Sequence, residues 1–333
     1  MYDLIKKLTE AWGPSGYEHH IRALIKEEVA DLADEITVDG MGNLICRIGE
    51  VGQGKKVLIA SHMDEIGVMA TYVEPKSQYL RFTNIGGLIY TSLHGNRVKF
   101  EDGTLGVISV HDSFGKGRSS ANSTDVFYID VQDENGMLVK DGHPAGFWRE
   151  TEQRGNRVIA KALDDRIGCV VAIETMKKIK ANGTANEVYF AFTTQEEVGL
   201  RGAKTAAYGV NPDIGIALDV TATGDEIHGR KMAVKLGGGA AIKVIDTSLI
   251  VPKPIVDWMV ARAEADNIDH QLELLTGGGT DAGAIQSTHS GVPSGCISIP
   301  TRFLHTTSET VDLSDVQACI DLLTGLVSNE IEL

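Results

Sequence analysis

The chain begins with two successive stretches in which apolar residues recur at regular intervals. Apolar residues three or four positions apart predict one helix across 4–12 and a second across 21–32, with Gly13-Pro14 between them. Ser15 is placed to cap the second helix. Residues 56–60 (Lys-Val-Leu-Ile-Ala) then form a short apolar run that ends in polar residues, which is typical of a central strand.

From about residue 66 to 157 the pattern changes to short alternating runs. The runs at 106–110 and 126–131 predict strands, and Gly86-Gly87 and Asp102-Gly103 predict turns. Strands and turns at this spacing are typical of a small β-barrel or sandwich.

Helices and strands alternate again in the remainder of the chain. Apolar runs at 187–193, 214–218 and 295–299 predict strands, and helical stripes at 167–179 and 316–327 predict helices. Such alternation favours an α/β sheet with helices on both faces.

These patterns divide the chain into two domains, as its length of 333 residues also predicts. We expect residues 1–65 and 158–333 to form one discontinuous α/β domain, with a mixed central sheet flanked by helices. We expect residues 66–157 to form a small β-barrel domain inserted into it.

Charge and cysteine content exclude several classes of function. The net charge of −15 argues against nucleic acid or an anionic membrane surface as a partner, because both require a basic face. No apolar run approaches the roughly 18 residues of a membrane span, and no N-terminal signal is present, so we expect a cytoplasmic protein. The four cysteines are scattered, which argues against a disulfide framework or a thiolate metal site. We expect each to be a small buried apolar residue.

Side chains suited to metal binding or proton transfer follow the predicted strands. They are His62 and Asp64 after 56–60, Glu196 and Glu197 after 187–193, Asp219 after 214–218, and His305 after 295–299. Because ligands bind beyond the carboxyl ends of strands in open α/β sheets, we expect these residues to meet at one edge. Asp164 and Asp165 come just before the helix at 167–179, where acidic residues also serve as caps.

Two histidines with several carboxylates and no cysteine are the ligand set of zinc, cobalt or manganese in a hydrolytic site. Two such ions about 3.5–4 Å apart require a bridging carboxylate, and Asp164 is our candidate. His62 and Asp219 would hold one ion. Glu197 and His305 would hold the other.

Glu196 then remains free to accept a proton from water and to pass it to a leaving amine. Asp64, two residues after His62, is placed to fix the imidazole tautomer. Each acid taken alone also fits a helix cap or a solvated turn. Asp165 we interpret as an N-cap or as a partner of Arg166.

Three further features have less specific interpretations. His19 and His20 lie in a polar stretch and are interpreted as surface residues. Arg302 would either attract an acidic substrate side chain or pair with a structural carboxylate. The run Thr276-Gly-Gly-Gly-Thr-Asp-Ala-Gly lacks the spacing of a nucleotide loop. It is either a turn that lines the substrate or a flexible loop.

Several motifs in order along the chain resemble the tetrahedral dinuclear aminopeptidases, a family that includes glutamyl aminopeptidase and proteins once labelled cellulases. They are Ser61-His-Met-Asp-Glu-Ile-Gly, Ala162-Leu-Asp-Asp-Arg, Thr194-Gln-Glu-Glu-Val-Gly-Leu-Arg-Gly-Ala, Leu218-Asp-Val-Thr-Ala, Gly279-Thr-Asp-Ala, and Arg302-Phe-Leu-His-Thr with Glu309 beyond. The resemblance covers essentially the whole chain.

The resemblance implies a zinc-peptidase-like fold that binds two divalent metal ions per subunit, most commonly zinc or cobalt. It implies a catalytic base at Glu196, a supporting Asp64, and metal ligands at His62, Asp164, Glu197, Asp219 and His305. It also implies that peptides with a free N-terminus are the substrates. Finally, it implies that the inserted β domain mediates dimerisation and that six dimers form a tetrahedral dodecamer.

The predicted function is therefore that of a dinuclear metallo-aminopeptidase, and three alternatives remain at the sequence level. A deacylase or amidase of N-acyl amino acids would use the same metal pair. A metal-free glycoside hydrolase would use Glu196 with another acid, which leaves His62 and His305 unexplained. A catalytically silent scaffold would not require the ligand set.

Overall fold

The computed structural model describes residues 1–75, 77, 79–111, 122–131, 138–227 and 229–333. Within these residues the helices are α1 (Tyr2–Glu10), α2 (His19–Val29), α3 (Tyr90–Leu93), α4 (Leu163–Asn182), α5 (Arg201–Val210), α6 (Lys253–Ala265), α7 (Asp281–Gln286) and α8 (Leu313–Ser328). The strands are β1 (Glu35–Val38), β2 (Leu44–Ile48), β3 (Lys56–His62), β4 (Gly67–Val73), β5 (Tyr79–Ile85), β6 (Arg97–Phe100), β7 (Leu105–Val110), β8 (Phe127–Val131), β9 (Pro144–Phe147), β10 (Glu152–Arg154), β11 (Arg157–Ala160), β12 (Glu187–Thr193), β13 (Ile214–Thr221), β14 (Ala240–Ile245), β15 (His270–Leu274), β16 (Ser294–Arg302) and β17 (Glu309–Asp312). None of the described helices is long and apolar enough to cross a membrane.

A large mixed sheet forms the centre of the molecule. Its main path runs β1-β2-β12-β3-β13-β16-β17-β11-β10, and β14 and β15 join it through β16. Strands β12, β3, β13 and β16 are parallel, whereas β2, β14 and β17 pair antiparallel with them. The predicted α/β fold with a mixed central sheet is confirmed.

Helices cover both faces of this sheet, which explains why the middle residues of its central strands are apolar. In β3, Val57 and Ile59 pack into the cluster that contains α4 and α8. Leu58 and Ala60 point to the opposite face and pack with α5 and α7. The four cysteines are free and buried, as predicted.

Strands β4 to β9 close into a separate barrel in the order β4-β5-β8-β7-β6-β9. The barrel has its own apolar core, which includes Val68, Phe100 and Phe127. The predicted inserted barrel is therefore present. Strand β10, which lies before the expected boundary at 157, pairs with β11 of the large sheet, and the exact division of the chain into domains stays a prediction.

The predicted capping role of Ser15 is wrong. Helix α2 begins at His19 and has Glu18 at its N-cap position, with no side-chain cap. The Ser15 hydroxyl instead donates to Asp64 Oδ2 at 2.6 Å. Helix α1 likewise ends at Glu10, two residues before the Trp12 that we placed on its stripe. In both cases the side chain that the local pattern assigned to a helix makes a long-range hydrogen bond instead, Ser15 to Asp64 and Trp12 to the backbone oxygen of Lys99.

Candidate metal centre

The parallel strands deliver polar side chains to one edge of the sheet. His62 is the last residue of β3, and Glu196 and Glu197 follow closely after β12. His305 comes three residues after the end of β16, and α4 brings Asp164 to the same edge. The prediction that Asp219 follows its strand is wrong, because β13 continues to Thr221 and includes it.

Asp164 lies between the two predicted histidine ligands. Its Oδ1 is 3.0 Å from His62 Nε2, and its Oδ2 is 3.3 Å from His305 Nε2. Each oxygen of one carboxylate therefore faces a different imidazole. This is the arrangement that a bridging ligand between two ions requires.

The other predicted ligands lie around this axis. Glu197 Oε2 is 3.6 Å from His305 Nε2. Ligand atoms of His62, Asp164 and Glu197 lie within 4.8 Å of one another, and the same is true of His62, Glu196 and Asp219. The structure thus brings together all the residues that the sequence nominated.

Protonation of this site is governed by burial and by the crowding of acids and imidazoles. Burial would lower the pKa of His305, but Asp164 and Glu197 raise it to about 10. Burial and the charge of Asp164 raise the pKa of Glu197 to about 8. For Asp164, burial opposes ionisation, but the hydrogen bonds and charges of both imidazoles lower its pKa. Burial also raises the pKa of Asp219, and the charge of Asp164 raises it further.

The residues present fit a pair of divalent cations. Four carboxylates, those of Asp164, Glu196, Glu197 and Asp219, are buried in one small volume. Two divalent ions would balance the four negative charges, and uncompensated charge is costly in such a setting. Glu197 Oε1 is buried and has no hydrogen-bond partner among the described residues. An ion would satisfy this oxygen.

Asp64 holds the turn that carries the two adjacent glutamates. Its Oδ1 accepts from the backbone N–H of Glu196 at 3.0 Å, and its Oδ2 accepts from that of Glu197 at 3.2 Å. His62 Nδ1 lies 3.2 Å from the backbone oxygen of Asp64 and 3.6 Å from its carboxylate. Asp64 therefore supports His62 through its backbone and the glutamates through its side chain.

Glu196 lies beside the ligands without a short contact to them. Its Oε2 is 3.9 Å from His62 Nε2. Burial raises its pKa well above the ordinary value, and the nearby charge of Asp219 adds to this effect, although His62 opposes it. A buried carboxylate beside the candidate ligands is placed to accept a proton from a water molecule bound there.

The glycine-rich run at 276–283 ends at this site. Asp281, the first residue of α7, is buried, and its Oδ2 accepts from the Thr193 hydroxyl at 2.5 Å. Thr193 is the last residue of β12. The run is thus attached to β12, the strand that Glu196 and Glu197 follow. This contact favours the predicted turn at the site over the flexible loop.

Sequence reasoning missed the role of Glu309. Its Oε2 accepts from the backbone N–H of Asp164 at 3.0 Å, and its Oε1 accepts from that of His305 at 2.9 Å. Glu309 thereby ties two ligands from distant segments together. Glu309 belongs to the motif that contains His305, but the spacing of residues along the sequence does not indicate a contact with Asp164.

Asp165 and Arg302 have structural partners. The backbone of Asp164 and Asp165 at the start of α4 is not helical. Asp165 Oδ1 accepts from Gly168 N–H at 3.1 Å, which caps the regular helix that continues from Arg166. The Arg166 guanidinium donates to backbone oxygens of α1 and of the loop after it instead. Arg302 forms an ion pair with Asp225 at 2.6 Å, which favours the structural alternative for this arginine.

We expect Glu309→Gln to weaken metal binding by about 10–100-fold, as changes in residues that orient ligands commonly do. The amide has one acceptor oxygen, so it cannot accept from both backbone N–H groups and would turn a donor toward one of them. Equilibrium dialysis of the variant with the chosen metal measures the effect. Glu332→Gln, at an exposed position, is the control, and equal affinity in the two variants would contradict the role.

The chain is similar to known proteins over nearly its whole length. The family of M42 glutamyl aminopeptidases matches residues 42–322. A lysyl aminopeptidase from Pyrococcus furiosus is 31% identical over 98% of this chain and 96% of its own length. An aminopeptidase from Desulfurococcus kamchatkensis has a TM-score of 0.91 and 35% identity, covering 98% of this chain and 94% of its own. The TET1 peptidase of Pyrococcus horikoshii, which can assemble into a tetrahedron or a large octahedral shell, has a TM-score of 0.86 and 34% identity, covering 98% of both chains.

Proposed function

We propose, because the chain belongs to the M42 glutamyl aminopeptidase family and is therefore a peptide hydrolase, that it releases N-terminal residues at a centre of two divalent ions. One observation carries the proposal. The two oxygens of Asp164 face His62 and His305 separately, at 3.0 and 3.3 Å. The sequence resemblance to dinuclear aminopeptidases points in the same direction.

The proposed ligands are His62 and Asp219 for one ion, Glu197 and His305 for the other, and Asp164 for both. Bound divalent ions would lower the pKa of a water molecule and polarise the scissile carbonyl. Imidazole and carboxylate donors suit zinc and cobalt, and these are the metals that we propose.

The protein's own residues supply proton transfer and positioning. Glu196 would accept a proton from the attacking water and later deliver it to the leaving amine. Asp64 keeps Glu196 and Glu197 in place through their backbone N–H groups. Precise placement of this kind contributes to catalysis because the reacting groups need not be ordered during the reaction.

A cavity of about 340 Å³ is lined in part by Leu304 and Thr306, the neighbours of His305 in the chain, and is our candidate for the pocket that holds the first side chain of the substrate. Its lining also includes Ile89, Ala222, Thr223 and Thr301. Glu226 and Arg230 contribute opposite charges to its lining, and Phe303 and Leu304 contribute apolar surface. Arg302 is not part of the lining, so we do not assign it a role in specificity.

We propose that the protein is a homo-oligomer, and specifically a tetrahedral dodecamer whose dimers form through the inserted barrel. The tetrahedral assembly of the TET1 peptidase, at 34% identity over 98% of both chains, supports the proposal. The free and buried cysteines support a reducing cytoplasmic location.

We expect the protein to hydrolyse aminoacyl anilides that have a free amino group and to lose this activity on treatment with a chelator. Added zinc or cobalt should restore it, because the ions and not the carboxylates alone activate the water. A colorimetric assay across a panel of aminoacyl anilides, run in parallel with N-acyl amino acids, measures both substrate classes. Preference for the N-acyl compounds would indicate the deacylase alternative, and activity that survives complete removal of metal would contradict the proposal.

A further inference from the structure

A second group of metal-ligand side chains lies away from the candidate centre, where α2 meets the turn between β6 and β7. His19 and His20 begin α2, and Glu101 follows directly after β6. Ligand atoms of the three residues lie within 4.8 Å of one another. The group therefore joins the α/β part of the molecule to the barrel.

The two imidazoles converge on one carboxylate oxygen. His19 Nε2 is 2.8 Å and His20 Nε2 is 3.4 Å from Glu101 Oε1. Adjacent residues of a helix normally point in different directions. Here the two ring centroids are only 4.3 Å apart, and both Nε2 atoms lie within 3.4 Å of the same carboxylate oxygen.

Trp12 contacts both the start of α2, where the histidines lie, and the end of β6, next to Glu101. Its ring lies edge-on to the imidazoles of His19 and His20, with centroid distances of 6.2 and 5.6 Å. Its indole N–H donates to the backbone oxygen of Lys99, two residues before Glu101, at 2.9 Å. One side chain thus positions the helix start and the strand end relative to each other.

We propose that His19, His20 and Glu101 bind a further divalent transition-metal ion, with zinc as the expected occupant. Zinc takes imidazole and carboxylate donors at about 2.0–2.2 Å, so the ligand atoms of a tetrahedral site lie about 3.3 Å apart. The 3.4 Å separation already matches this spacing, and the 2.8 Å separation needs only a small rotation. Two neutral imidazoles and one carboxylate leave a position for water.

The surroundings give the ion a route to the ligands. The three side chains are 46%, 53% and 46% exposed. A cavity of about 440 Å³ lies beside Glu101, and its lining includes Asp102 and His143. Because Glu101 belongs to the barrel and the histidines belong to α2, the ion would fasten the two parts of the molecule together. This role is independent of peptide hydrolysis.

Zinc titration of the metal-loaded protein tests the proposal. We expect the protein as it exists to bind one zinc ion per subunit in addition to the ions of the catalytic centre, measured by equilibrium dialysis with elemental analysis. His20→Ala and Glu101→Gln should bind this additional ion at least about tenfold more weakly. His289→Ala, another exposed histidine outside the group, should bind it normally.

A thermal unfolding series provides a second measurement that does not use activity. With the catalytic centre already loaded with metal, added zinc should raise the unfolding temperature of the unmodified protein and of His289→Ala but not that of Glu101→Gln, because only the intact group then gains a further ion on folding. If His20→Ala does not fold, Glu101→Gln still tests the proposal by itself. The proposal is overturned if no zinc binds beyond the catalytic ions, or if Glu101→Gln binds as much zinc as the unmodified protein.

Discussion

Glu196→Gln should reduce kcat by about 10²–10⁴-fold, the usual contribution of a positioned general base, while the metal content stays unchanged. Glutamine keeps the size of the side chain and the backbone N–H that donates to Asp64, but it cannot accept the proton of a water molecule at neutral pH. Steady-state turnover of an aminoacyl anilide, together with elemental analysis of the same sample, measures both quantities.

The metal content distinguishes the two roles that Glu196 could have. Its Oε2 is 3.9 Å from His62 Nε2, and Asp219 is in the same group. A variant that loses an ion along with its activity would identify Glu196 as a ligand and contradict its role as the base. Glu332→Gln, at an exposed position near the C-terminus, should leave both turnover and metal content unchanged.

Asp164→Asn should remove both ions and lower kcat by a factor on the order of a thousand or more, since the metal ions contribute several kcal/mol of transition-state stabilisation. The amide has a single acceptor oxygen, whereas the carboxylate presents one oxygen toward His62 and one toward His305. The amide also lacks the negative charge with which the carboxylate would balance the pair of cations. Metal analysis after dialysis and turnover of the aminoacyl anilide measure the two effects.

His305→Ala is the matched comparison for Asp164→Asn. Because His305 faces one oxygen of Asp164 and the neighbouring Glu197, its removal should weaken one ion selectively. Retention of both ions by Asp164→Asn, or loss of only one, would show that this carboxylate does not bridge the pair.

Strand positions were the most predictable part of the fold. The run at 187–193 is β12 in full, and the run at 56–60 lies within β3. Helices cover both faces of these strands, so most of their residues are apolar and each run stands out from the residues around it. Strands β14 and β15 were not identified, and they carry buried charged residues, Lys243 and Glu273, that interrupt the apolar pattern.

Ligand residues were predictable for a related reason. His62, Glu197 and His305 lie at or just beyond the ends of recognisable strands, and the parallel direction of those strands places their ends at one edge. Contacts between segments were not predictable in this way. The hydrogen bonds of Glu309 to the backbone of Asp164 and His305 join positions as many as 145 residues apart.

The sequence alone determined the fold class, the inserted barrel and the candidate ligand residues. The spacing of apolar residues and the residue types at the ends of strands are local properties of the chain, and these predictions depend on nothing else. The tertiary structure decided which oxygen faces which imidazole, that Ser15 supports Asp64, and that Arg302 pairs with Asp225. It also decided that two histidines interpreted as surface residues converge on Glu101. These are distances between segments remote along the chain, and they follow only from the packing of the folded protein.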